Sequence, residues 1–119
     1  MAAKHDSFGR LLREKRVEKG FSLRKFAELV GVSPTYLSQV EQGNAQPPTA
    51  DRVKRMAEIL GDNPDEWIAL AGRVPGDLSK IIQEQPTEMP ELLREASGLT
   101  AEQLRKLREQ AKKLKKQGN

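Results

Sequence analysis

The chain reads as an all-α protein, with five short helices over residues 1–72 and a small helical segment over residues 73–119. Three observations predict this. Apolar residues recur at helical spacing along most of the length. Ser, Thr or Asn precedes most of the periodic stretches and Gly follows them, the punctuation of helix starts and stops. No segment reads as a strand.

The first helix is expected from about Ser7 to Lys19, with Phe8, Leu11, Leu12 and Val17 on its buried side and Gly20 ending it. A second, Leu23 to Val30, follows the N-cap Ser22 and carries Leu23, Phe26, Ala27 and Val30 on one face. Gly31 can adopt the left-handed conformation that stops it. A third begins at Pro34, which suits a first helical position after the cap Ser33, and runs to about Gln42 with Leu37 and Val40 inward and Gly43 closing it. The segment NAQPP, residues 44–48, is a loop, because paired prolines lack the amides a helix needs. Thr49 caps a fourth helix with Val53, Met56, Ala57 and Leu60 inward, stopped by Gly61. Asn63 caps a fifth through Pro64, Trp67, Ile68 and Leu70, stopped by Gly72.

Beyond Gly72 the character changes. Pro75 opens a short helix with Leu78, Ile81 and Ile82, broken by Pro86; another holds Met89, Leu92, Leu93 and Ala96 and ends at Gly98. Thr100 and Gln103 then form a capping box for a last helix, about Ala101 to Lys116. Its residues Leu104, Leu107, Ala111 and Leu114 are spaced as in a coiled-coil seam, too short to be stable without other packing.

Composition narrows the function. With 36% hydrophobic residues, the chain can support a small helical core rather than one core over its full length. It has no cysteine, hence no disulfide framework or thiolate metal site, which fits a cytoplasmic location. The stretch MAAKHDSF does not read as a signal peptide, and no apolar run is long enough to span a membrane. The net charge is +4, but residues 1–72 hold 11 Lys/Arg against 10 Asp/Glu while residues 99–119 hold 7 against 2. The basic excess therefore sits in the tail, where a solvated coiled-coil surface and a second polyanion contact both remain open. His5 is the sole histidine and has no companion ligand, and no glycine-rich phosphate loop follows a strand. No catalysis, metal or cofactor is expected.

Between the second and third helices only Gly31 and Val32 precede the next cap, so the two must meet at a sharp angle. That is the helix-turn-helix arrangement, which sets its second helix in the DNA major groove. A helix so placed presents Pro34, Thr35, Tyr36, Ser38 and Gln39 to base edges. Gln39 is the best direct reader, since its amide can both donate to and accept from adenine. Thr35 offers a hydroxyl and a methyl, Pro34 an apolar contact at best, and Tyr36 either a contact to DNA or a half-buried packing role. Phosphate contacts are expected at the free amides of Ser22, Leu23 and Arg24, with Arg24 and Lys25 adding charge unless they are merely solvated.

These residues resemble the Cro/phage-repressor (XRE) type of helix-turn-helix regulator over about residues 8–72, most specifically at Ala27, Gly31, Val32, Ser33, Tyr36, Leu37, Ser38, Glu41 and Gly43. The resemblance implies a five-helix lambda-repressor-like domain. It implies base contacts from Thr35, Ser38 and Gln39, often with Pro34 and Tyr36, and backbone contacts from Gln42, Asn44 and Gln46. It also implies an ion pair between Arg16 and Glu41 that orients the helices rather than reading bases. With few polar readers, sequence preference would rest partly on DNA shape.

The expected function is a homodimeric transcriptional regulator, a repressor in most relatives of this plan, on a pseudo-palindromic site in double-stranded DNA. Residues 73–119 would supply the dimer contact through Leu78, Ile81, Ile82, Leu92, Leu93, Leu104, Leu107 and Leu114. The alternative is an antitoxin-type protein whose C-terminal segment binds a protein partner and whose DNA binding serves autoregulation.

Overall fold

The computed structural model describes the backbone of residues 6–118 and the side chains of residues 7–118; His5 lies outside them. All regular elements among the described residues are helices. They are α1 (Asp6–Glu18), α2 (Leu23–Val30), α3 (Pro34–Glu41), α4 (Ala50–Leu60), α5 (Pro64–Leu70), α6 (Gly76–Glu84), α7 (Glu88–Ala96) and α8 (Ala101–Gln117). Two compact units result, one reaching to Ser79 and one starting at Lys80, so the division falls within α6.

In the first unit, α1 to α5 enclose one core. Phe8 and Leu12 come from α1, Phe26, Ala27 and Val30 from α2, Leu37 and Val40 from α3, and Val53, Met56, Ala57 and Leu60 from α4. Trp67 and Ile68 close it from α5. Phe8 meets Trp67 edge to face at 5.9 Å, and the indole Nε1 donates to Asp62 Oδ2 at 3.0 Å, so the large ring is buried with its one polar atom satisfied. Val17 is a correction: it is 58% exposed. It lies five residues after Leu12, about 140° round the helix from it, and so leaves the stripe that Phe8 and Leu12 define.

The caps act where their residue types place them. Ser22, Ser33 and Asn63 each accept from the amide three residues on, at 3.0, 3.1 and 3.0 Å. Thr49 precedes α4 but makes no such bond through its side chain. Gly31 ends α2 at φ 82°, and its amide and that of Val32 both donate to Ala27 O, which turns the chain within two residues.

In α6, α7 and α8 no residue is buried. The capping box of α8 is complete, with Gln103 N donating to Thr100 Oγ1 at 3.1 Å and Thr100 N to Gln103 Oε1 at 2.9 Å. Leu92, Leu93, Leu104, Leu107 and Leu114 are 41–63% exposed, and none of these helices is long and apolar enough to cross a membrane.

Candidate nucleic-acid interface

Helix α3 is fixed from behind and open in front. Leu37 and Val40 are buried, while Pro34, Thr35 and Gln39 are exposed and Tyr36 and Ser38 are half-buried. Tyr36 packs its ring against the core and donates its hydroxyl to Gln46 O at 3.3 Å, so it braces the loop after α3 as well as facing outward. Ser38 Oγ accepts from Gln42 Nε2 at 2.9 Å, and Gln42 Oε1 accepts from Asn44 Nδ2 at 3.2 Å. Three of the expected contact residues thus form one chain of hydrogen bonds along the edge of α3. Gln39 stands outside that chain, with no hydrogen bond of its side chain among the described residues.

The orientation of α3 is set from α1. Arg16 Nε and Nη2 donate to Glu41 Oε2 and Oε1 at 2.7 and 2.9 Å, and Nη1 donates to Phe21 O at 2.9 Å. Both side chains are nearly buried, at 10% and 5% exposure, and both carboxylate oxygens are satisfied. One turn earlier, Gly9 lies against the end of α3 so closely that a Cβ would stand 2.3 Å from Val40 O and 2.7 Å from Glu41 O. Only glycine fits there.

Two further arginines, which periodicity does not single out, lock the neighbouring segments. Arg52 Nη1 on α4 donates to Val30 O and Gly31 O, both at 2.8 Å, which satisfies free carbonyls at the end of α2. Arg73 donates to Pro47 O at 2.7 Å and Pro48 O at 3.1 Å and so fixes the loop after α3. Both depend on long side chains meeting backbone carbonyls more than 20 residues away, which sequence spacing does not reveal.

At the start of α2, Ser22 and its exposed neighbours Arg24 and Lys25 flank the half-buried Leu23. Beside this end lies a cleft of about 520 Å³ lined by Arg10, Arg13, Arg16, Leu23, Ser38, Glu41 and Gln42. Arg10 and Arg13 were absent from the expected contacts because they fall on the outer side of the α1 stripe.

A helix-turn-helix domain family model matches residues 7–67. Among solved structures, the chain is 29% identical to the clp gene regulator ClgR from Corynebacterium glutamicum, with a TM-score of 0.50 over 60% of this chain and 92% of that one. It is 32% identical to the restriction-modification controller protein C.AhdI from Aeromonas hydrophila, with a TM-score of 0.48 over 53% and 90%. It is 28% identical to SinR, the master regulator for biofilm formation, solved in complex with DNA, with a TM-score of 0.47 over 51% and 97%. No curated protein matches the sequence. With the family model covering α1 to the middle of α5, the chain belongs to the helix-turn-helix domain family, as a regulator of the Cro/phage-repressor (XRE) type.

Proposed function

We propose that the protein is a sequence-specific transcriptional repressor of the cytoplasm that binds a pseudo-palindromic operator as a homodimer. The observation that carries this reading is α3 itself: an eight-residue helix pinned by a buried ion pair, apolar behind and polar in front. Gln39, Thr35 and Ser38 read base edges, with Pro34 and Tyr36 beside them. Ser22, Leu23, Arg24 and Lys25 on one side, and Gln42, Asn44 and Gln46 on the other, hold the phosphate backbone. Direct readers are few, so DNA shape supplies part of the preference. One α3 covers a half-site, and a second copy about 34 Å away doubles the sequence read. Residues 73–119 join the copies through Leu78, Ile81, Ile82, Leu92, Leu93, Leu104, Leu107 and Leu114. Footprinting the purified protein on genomic fragments tests this; a symmetric site with two protected half-sites is expected, and protection without sequence preference overturns it.

One observation favours a second reading. The exposed leucines of α7 and α8 suit the groove of a different protein as well as a second copy, which is the antitoxin-type arrangement. Sedimentation separates them: a dimer of the pure chain supports the first reading, and a monomer that dimerises with nothing but a foreign partner supports the second.

A further inference from the structure

The DNA-facing part of this domain is short of cations. No Lys or Arg occurs between Lys25 and Arg52, a stretch that contains all of α3 and the loop after it. Arg52 is engaged with the carbonyls of Val30 and Gly31. Arg16 reaches the cleft between α1, α2 and α3, but its charge is offset there by Glu41. A polyanion nevertheless needs positive charge close to its phosphates, since counterion release provides most of the sequence-independent affinity.

We propose that the cleft between α1, α2 and α3 is a phosphate site for the DNA backbone, and that Arg13 supplies its charge. This rests on the DNA-binding reading of α3. The cleft is lined on one side by Leu23 in the first turn of α2 and on the other by Ser38 and Gln42 on α3. The cap Ser22 takes the amide of Lys25, and Phe26 N donates to Ser22 O, so the amides of Leu23 and Arg24 are left at the positive end of the helix. Arg13 is exposed, lines the same cleft, and has no hydrogen bond or ion pair among the described residues. Its planar guanidinium can donate two parallel bonds to one phosphodiester. Ser38 and Gln42 lie on the opposite wall and are already bonded to each other, so a phosphate seated here sets the register of α3 against the groove. Arg13 is in this sense a positioning residue and carries no sequence information.

The test compares Arg13→Gln with Arg55→Gln in the full chain. Arg55 is exposed on α4 and does not line the cleft, so the two variants lose the same charge. Binding to the footprinted site is measured over a range of chloride concentrations. The slope of log K against log salt is expected to fall by about 0.9 for Arg13→Gln, the value for one phosphate contact, with the same base preference. Equal slopes for the two variants overturn the proposal. Wild-type protein that binds no site selectively overturns the DNA reading instead, and this inference with it. Inorganic phosphate replacing chloride at matched ionic strength is expected to leave wild-type binding unchanged. A phosphate-specific loss of binding that Arg13→Gln abolishes assigns the cleft to free phosphate and overturns the proposal.

Discussion

Arg16 grips both carboxylate oxygens of Glu41 across 25 residues of sequence, at 2.7 and 2.9 Å, with both side chains nearly out of water. The pair joins α1 to the end of α3, and its third donor holds Phe21 O at the entrance to α2. Removing Arg16 alone leaves a buried carboxylate without its partner. Arg16→Ala should therefore destabilise the fold by about 3–5 kcal/mol, read as a lower midpoint in urea. The double variant Arg16→Met, Glu41→Leu should recover much of that loss, because no charge is then left stranded. A melting curve for Arg16→Ala that overlays wild type removes the pair from the account of how α3 is held.

Gly9 and Gly20 give opposite expectations for the same change. At Gly9 an added methyl meets backbone carbonyls of α3 at 2.3 and 2.7 Å, and backbone cannot step aside as a flexible side chain would. Gly9→Ala has to push α1 away from α3, an overpacking cost of about 1–3 kcal/mol or more, and should weaken DNA binding beyond its effect on stability. Gly20 has no neighbour within 4 Å of such a methyl, only a φ of 80°. Gly20→Ala should cost about 1–2 kcal/mol through backbone strain and leave the affinity of the folded fraction unchanged. Equal losses of affinity at the two positions would show that α1 does not set the position of α3.

The limits of reading this sequence have physical causes. Helices α1 to α5 were legible because each cap and stop acts within four residues, and the pattern of Ser22, Gly31, Ser33 and Pro34 leaves the chain little choice. The Arg16–Glu41 geometry is different in kind. Nothing local marks either residue, and resemblance alone pointed to them. Gly9 carried no signal, since a glycine inside a helical pattern looks like a weak helix former; its reason is a carbonyl 31 residues away. Arg52 and Arg73 were equally silent, because a surface arginine and one that locks a turn have the same local context.

Gln39 is the residue on which sequence preference should depend most. It is exposed, and nothing in the domain occupies its amide. Gln39→Ala should cost about 1–3 kcal/mol in binding the selected site and relax the preference at one base position. The thermal midpoint should hardly move. A selected-site profile identical to wild type would mean that other residues do the reading.

The dimer is tested by where the chain is cut. Arg73 donates to Pro47 O and Pro48 O, so a chain ending at Gly72 loses the anchor of the loop that Tyr36 also braces. A chain ending at Ser79 keeps it. Both remove the exposed leucines of α7 and α8, which short helices cannot bury by themselves. Each truncated chain is therefore expected to sediment as a monomer at concentrations where the full chain is a dimer. The shorter one should melt lower, by the loss of two charge-assisted bonds to buried prolines, about 1.5–3 kcal/mol each at most. The chain ending at Ser79 should keep the base preference of the full protein. It should bind the full operator far more weakly, because the second half-site is no longer tethered to the first. If the full chain is itself a monomer well above the concentration that saturates the operator, the homodimer fails and the leucines of residues 73–119 pass to a protein partner.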